Sequence, residues 1–381
     1  MFSRICLGNK ATEFEQIKMY VALDGKYNMI VIIGGGVIGL SLSFQLLKAG
    51  KKVTIVEQGQ IGHGASWAAA GYLEPSLGKT ETARIEWQSL KQWPQFVDDV
   101  QRVSGIDVDY QNRGQLRIAY PDNEQDIRSD FDLRKSRGWQ AEEVSAEQLR
   151  RLEPSLANDI SWAAYLPQVC WVDGRKLCRA LALAITKLGG TVLENTPVER
   201  LVLQQDTVVG VETADQEIPA DAVVIAAGYQ SGLIEKLPED MPKSYGLKGI
   251  ILTLAGNPDT PVLHHLIKRP DGVLCPRNDG RILVGVTRDA DNSSPHAEAG
   301  SVANLLQSGI QTMPSLENMA LIETVVGFRP YIRETSGSSI GESAQTRNLY
   351  HSLGHGSDGF LRAPYYAQAL ADQITGVTKS G

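Results

Sequence analysis

The run Gly34-Gly-Gly36-Val37-Ile38-Gly39 constrains this chain more than any other stretch, because of what flanks it. Met29-Ile-Val-Ile-Ile33 reads as a strand, Val37 to about Ala49 as a helix stopped by Gly50, and Val53 to Val56 as a second strand. The glycines therefore sit at the first turn of a βαβ unit. There, backbone N–H groups and a helix N-terminus face an anion, and a side chain at Gly36 would block the approach of a pyrophosphate. Glu57 stands eighteen residues past Gly39, at the end of the second strand. Its carboxylate suits ribose hydroxyls and repels a 2′-phosphate. The pattern predicts a dinucleotide site and leaves open whether the dinucleotide carries nicotinamide or flavin.

The same region lacks charge for nineteen residues, from Met29 to Leu47, long enough to suggest a membrane span. Glycines interrupt it, its two halves prefer different secondary structures, and Lys48-Ala-Gly-Lys-Lys52 stands where a secretory cleavage site would be needed. We expect neither a span nor a signal. Lys and Arg number 37 against 44 Asp and Glu, a net charge of −7, which disfavours nucleic acid as the main partner. Cys6, Cys170, Cys178 and Cys275 show neither zinc nor redox spacing, so a reducing cytoplasm without structural disulfides is expected. His264-His265 is an isolated pair, and no metal site is expected.

Residues 1-28 show no clear periodicity and read as a tail, or as a start codon placed too early. Beyond the βαβ unit, helix is expected from Lys79 to about Val103, near Glu147 to Arg151 before Pro154, and from Arg175 to Leu188. Strands are expected at Gly114 to Tyr120, Thr191 to Leu193, Val198 to Leu203, Val208 to Thr213 and Asp221 to Ala226. Two more strand runs, within about Leu274 to Val286, flank Asn278-Asp279-Gly280, a hairpin signature.

A second glycine- and alanine-rich segment, Gly62-His-Gly-Ala-Ser-Trp-Ala-Ala-Ala-Gly71, follows Glu57, and its small residues let a backbone run beside a cofactor. It resembles the corresponding stretch of the D-amino-acid oxidase superfamily, most closely the glycine oxidases of the thiamine pathway. Val223-Val-Ile-Ala-Ala-Gly228 is similar to the family's second strand beside FAD. Gly354-His355-Gly356-Ser357-Asp358-Gly359-Phe360-Leu361 resembles its closing glycine-histidine loop. The resemblance, over about residues 29 to 375, implies non-covalent FAD contacted by Gly34, Gly36, Val37, Ile38, Gly39, Glu57, Gln58, Ala65, Ser66, Ala69, Ala70, Gly71, Val198, Gly228 and the His355 to Leu361 loop. Relatives that tether flavin use a cysteine in the C-terminal half, and none follows Cys275.

Gly327-Phe328-Arg329-Pro330 matches the family's Gly-x-Arg-Pro motif, which implies that Arg329 forks onto a substrate carboxylate. His355 is expected to pack on or hydrogen-bond the flavin rather than act as a base. Two departures concern the substrate: Val273 stands where many glycine oxidases have tyrosine, and Ser357 replaces an arginine. Tyr72 and Tyr245 are the candidate replacements for the phenol, and Arg362 for the charge.

The expected fold is α/β, a Rossmann-like FAD-binding domain of the GR2 type with an antiparallel-sheet substrate domain. Residues 29-78, 172-242 and 327-378 would form the first, and 79-171 with 243-326 the second. The expected reaction is oxidative deamination of a small amino acid, glycine before sarcosine or small D-amino acids, to an imine and then an oxo acid, with dioxygen reduced to hydrogen peroxide. A D-amino-acid dehydrogenase feeding a quinone and a non-catalytic FAD-binding subunit are the alternatives. Whether the chain forms a homo-oligomer stays open at this point.

Overall fold

The computed structural model describes residues 28–334 and 337–377, so the expected tail lies outside the described residues except for Asn28. The chain opens with the βαβ unit: β1 (Met29–Ile33), α1 (Val37–Lys48) and β2 (Lys52–Val56), the strands parallel with Ile33 level with Val56. Next come β3 (Tyr72–Leu73), α2 (Glu81–Ser104), β4 (Gln115–Ala119), α3 (Glu124–Ser136), β5 (Glu142–Ser145), α4 (Ala146–Leu152), β6 (Trp162–Leu166) and β7 (Cys170–Trp171). The middle of the chain forms α5 (Gly174–Lys187), β8 (Thr191–Leu193), β9 (Val198–Gln204), β10 (Thr207–Thr213), β11 (Glu217–Pro219) and β12 (Ala222–Ile225). The remainder supplies β13 (Ser244–Leu254), β14 (Leu266–Arg269), β15 (Gly272–Pro276), β16 (Ile282–Gly285), α6 (Ala299–Thr312), β17 (Leu321–Ile332), β18 (Ser339–Glu342), β19 (Leu349–Leu353) and α7 (Gly359–Thr375).

Two large sheets organise these elements. One runs β18-β19-β12-β1-β2-β8, parallel except at the edge strand β18. Its central strands are covered on both faces, which is why they read as unbroken apolar runs rather than alternating ones. Ile30, Ile32, Val53, Ile55 and Val224 face a layer built from α1, α2, α5 and α7. Val31, Ile33, Val56, Val223 and Ile225 face the small sheet β11-β10-β9 through Leu201, Val208 and Val211.

The other large sheet runs β17-β13-β16-β15-β14-β4-β6-β5. It is antiparallel, as expected, except that Leu266–Lys268 of β14 runs parallel to Gln115–Arg117 of β4. By packing, α2 joins the helices over the parallel sheet, although the sequence reading grouped it with the second domain. By pairing, Gly327 to Ile332 belongs to the eight-stranded sheet, where β17 lies beside β13 along its length.

A buried ion pair ties α2 to α7. Glu86, fully buried, accepts hydrogen bonds from Arg362 Nη2 at 2.6 Å and Nε at 2.9 Å, and from the Ser76 N–H at 2.7 Å. Arg362 is thus turned into the helix layer and supplies no charge to a substrate, contrary to the sequence expectation. Removing one partner strands the other charge in an apolar layer, which costs about 3–5 kcal/mol. Arg362→Ala should lower unfolding stability by that amount in urea titration, and Arg362→Met combined with Glu86→Leu should recover most of it.

Candidate active site

The carboxyl ends of β1, β2 and β12 open into a cavity of ≈ 520 Å³, which continues across the face of the eight-stranded sheet as far as Lys268 and Arg329. That volume lies within the usual range for ligand sites, roughly 300–1,000 Å³. Open parallel sheets place their ligands at this end of the strands.

The glycine turn is built on close approach. Gly34 has φ +111°, and a Cβ there would lie 2.5 Å from the Ala226 carbonyl oxygen at the end of β12. A Cβ on Gly39 would lie 2.0 Å from the Gly34 oxygen. Glu57 braces the turn, its carboxylate accepting the Gly35 N–H at 2.7 Å and the Gly59 N–H at 2.9 Å. Ser66 Oγ accepts the Val37 N–H at 3.0 Å and sits 3.3 Å from where a Gly36 Cβ would stand. The segment from Gly62 to Gly71 is thereby pinned to the start of α1. On its other side, a Cβ on Gly327 of β17 would meet the Ala68 Cβ at 2.3 Å. This strap of small residues therefore lies between the two large sheets. Arg277, buried, holds it from below through Nη2 to the Ala70 carbonyl at 2.6 Å.

Arg329 and Tyr72 line the cavity on the side of the eight-stranded sheet. Arg329 donates to the Lys248 carbonyl at 3.3 Å and the Thr287 carbonyl at 3.1 Å, which orients its planar fork. Gly249 makes room for it, since a Cβ there would lie 2.6 Å from the guanidinium nitrogens. Burial first, and then the Arg288 charge, hold the Arg329 guanidinium below its ordinary range. Burial pushes the Tyr72 phenol up to about 12, so it stays protonated and can donate a hydrogen bond.

Most of the residues assigned from sequence converge on this one cavity. Gly34, Gly36, Val37, Ile38, Glu57, Gln58, Ala65, Ser66, Ala69, Ala70, Gly71, Val198 and Gly228 line it, as do His355, Gly356, Ser357, Gly359 and Phe360. Three of the assigned residues are not in the lining. Gly39 closes the turn from behind, Asp358 pairs with Arg362 at 3.0 Å, and Leu361 is buried in the helix layer. Tyr245 stacks on Tyr331 with ring centroids 5.9 Å apart and is likewise not in the lining, so of the two candidate phenols only Tyr72 is placed to meet a ligand.

Sequence reasoning missed Lys268 and Arg288, which also line the cavity. Each stands in or just after a strand with no motif around it, and nothing local sets them apart from other surface cations. Among the described residues no cluster of His, Cys, Asp and Glu could hold a metal ion, and no helix is long and apolar enough to cross a membrane. Cys170, Cys178 and Cys275 are free and buried.

His355 lines the cavity with both ring nitrogens engaged, Nδ1 with Ser338 Oγ at 3.2 Å and Nε2 with Ser352 Oγ at 3.0 Å. Burial pushes its pKa down to about 3, so it is neutral at working pH and has no nitrogen left for a ligand or for proton abstraction. The unfolded chain takes up this proton below about 6.5, whereas the folded chain does so only near 3. Stability is therefore lost as pH falls through that window, by up to about 1.4 kcal/mol per pH unit. Urea midpoints between pH 7 and 4 should fall less steeply for His355→Asn than for the native chain, whatever the offset between them.

The sequence profile of a family described as FAD dependent oxidoreductase (DAO) matches residues 29–373. Glycine oxidase of Bacillus licheniformis is 29% identical over 353 residues, which span 91% of this chain and 92% of that one. The bifunctional protein ThiO/ThiG of Trichormus variabilis is 29% identical over 349 residues, 91% of this chain and 52% of that longer protein. Among solved structures, glycine oxidase from Bacillus cereus superposes with a TM-score of 0.87 at 27% identity, covering 93% of this chain and 96% of that one. The cavity suits the family's cofactor: a Cβ at Gly34 would strike the end of β12, so only glycine lets the turn close there, and Gly34 and Gly36 line the cavity where a pyrophosphate would approach the start of α1. Matched from its first strand into its last helix, the chain belongs to the DAO family of FAD dependent oxidoreductases.

Proposed function

We propose that this chain oxidises a small amino acid at the carbon bearing the amine, glycine before sarcosine or small D-amino acids. The observation that carries this reading is Arg329, a half-buried guanidinium in the cavity wall that makes no ion pair with a carboxylate among the described residues. Two of its five N–H donors are spent on backbone carbonyls, and the rest suit a bidentate carboxylate. Similarity to glycine oxidases over nine-tenths of the chain supports the same substrate class.

Bound FAD supplies the two-electron acceptor. For the cofactor, the turn from Gly34 to Ile38 would hold the pyrophosphate, with the Gly35 and Val37 N–H groups already committed to Glu57 and Ser66. Glu57, Gln58 and Val198 would meet the adenosine, the strap from Ala65 to Gly71 the flavin's near side, and His355 to Phe360 its far side. For the substrate, Arg329 binds the carboxylate and Tyr72 donates to it. The neutral amine loses its α-hydrogen as hydride, the resulting imine is hydrolysed by water to the oxo acid with release of ammonia (methylamine from sarcosine), and dioxygen leaves as hydrogen peroxide. No side chain need remove a proton from carbon, which agrees with a neutral, fully engaged His355.

Anaerobic titration of the yellow protein with glycine, D-alanine and D-proline tests the reading: the flavin should bleach with at least one of them, and air should restore it with formation of peroxide. A flavin indifferent to all three amines sinks it.

Gly36→Val should yield folded protein without flavin, because the valine side chain would take the pyrophosphate's place; the absorbance ratio at 450 and 280 nm reads this directly. Arg329→Ala should keep its flavin but lose roughly ten- to hundred-fold in kcat/KM for glycine, as expected for a charge-assisted bond of about 1.5–3 kcal/mol. Methylamine, which lacks the carboxylate, should be affected far less, and Arg329→Lys should recover only part of the loss.

A further inference from the structure

Lys268 and Arg288 share the cavity with Arg329, and the role proposed for Arg329 leaves them unused. None of the three makes an ion pair with a carboxylate among the described residues, although most other arginines in this part of the fold do. Glu74, whose charge bears on Lys268 and Tyr72, is already held by Arg117 at 2.6 Å and Arg134 at 3.0 Å, and Asp358 by Arg362 at 3.0 Å. Asp271, the acid in the lining near Lys268, hydrogen-bonds to Ser308 and lies 3.7 Å from Arg269 Nε.

The placement follows from the sheet. Lys268 of β14 is paired with Val273 of β15, which is paired with Gly285 of β16, which is paired with Ile251 of β13. Side chains in one lateral row point to the same face, and Lys268, Val273 and Ile251 all line the cavity. The Lys268 Nζ lies 5.6 Å from the centroid of the Tyr72 ring. Arg288, three residues beyond β16, is exposed at the mouth and donates to Ser357 Oγ at 3.4 Å. Its charge bears on both Arg329 and Lys268, with which it shares the cavity lining. Burial, followed by the guanidiniums around it, holds the Lys268 ammonium below its ordinary range, against the pull of Glu74. One substrate carboxylate neutralises one of these three cations and leaves two facing the cavity.

We propose that Lys268 and Arg288 form a second anion subsite beside Arg329, so that the preferred amines carry a second carboxylate. This inference rests on the amino-acid reading of the site and narrows it. Arg329 takes the carboxylate next to the reacting carbon, and Lys268 with Arg288 takes the distal one. Iminodiacetate is the acidic counterpart of sarcosine, and D-aspartate that of a small D-amino acid.

Two measurements on the FAD-loaded protein test it. In calorimetry, malonate or succinate should bind at least about ten-fold more tightly than acetate, as a second charge-assisted contact requires. Lys268→Met should shrink that ratio by roughly ten-fold, and Arg288→Met, at the exposed mouth where folding is least at risk, should shrink it in the same direction. In steady-state assays, kcat/KM for iminodiacetate or D-aspartate should exceed that for glycine, and Lys268→Met should close the gap. Equal affinities for mono- and dicarboxylates, or a ratio that neither variant moves, would overturn the subsite. Bleaching by glycine with no advantage for the dicarboxylic amines overturns the subsite and leaves the proposed reaction standing. Tight, Lys268-dependent malonate binding with no amine able to bleach the flavin does the reverse.

Discussion

The Gly34 backbone stands so close to the end of β12 that a Cβ there would lie 2.5 Å from the Ala226 oxygen, and the rest of the site is arranged around that contact. It brings the start of α1 over the parallel strands and aims the helix N-terminus into the cavity. Glu57 then closes the turn from β2, and Ser66 fastens the strap to the Val37 N–H. Because the strap also touches β17 at Gly327, its small residues set the gap between the two large sheets. The cavity is that gap, and bulk at Ala68 or Gly327 would push the sheets apart, whereas a side chain at Gly34 would strike the end of β12.

Electrostatics divides the arginines into two groups. Arg117, Arg134, Arg281 and Arg362 each meet a carboxylate of the chain within 3.0 Å and serve the fold. Among the described residues Arg329 and Arg288 meet carbonyls or a hydroxyl and no carboxylate, and the cavity is where their remaining donors can be satisfied. A cation left without an acid partner in a half-buried wall is stabilised by an incoming anion, which turns a missing contact in the fold into affinity for a ligand. His355 is the opposite case. Two serine hydroxyls satisfy its ring, and burial keeps it neutral, so it shapes the wall without entering the chemistry.

Much of this was legible in the chain itself. The βαβ unit, its glycine turn and Glu57 are encoded in contiguous residues whose spacing leaves few alternatives, and the structure places them as that spacing requires. The strap from Gly62 to Gly71, the end of β12 and the loop from Gly354 were readable as glycine- and alanine-rich segments. The hairpin around Asn278-Asp279-Gly280 appears as β15 and β16, with Gly280 at φ +84°. Arg329 was readable because its neighbours Gly327 and Pro330 form a motif with it.

What the tertiary structure decided are the contacts between segments distant in sequence. Arg362 lies within a few residues of the cavity loop, yet Glu86, 276 residues earlier, claims it. Tyr72 and Tyr245 were both candidates, with Tyr72 preferred, and the structure sets Tyr245 against Tyr331 and Tyr72 in the cavity wall. Lys268 and Arg288 carry no local signal at all, because register across five strands, not spacing along one, brings them to the same face as Arg329. Local patterns determine what a backbone turn can admit, since that depends on the residues in the turn. Which charges remain unpaired depends on every acid the fold brings within reach, and only the assembled sheets settle that.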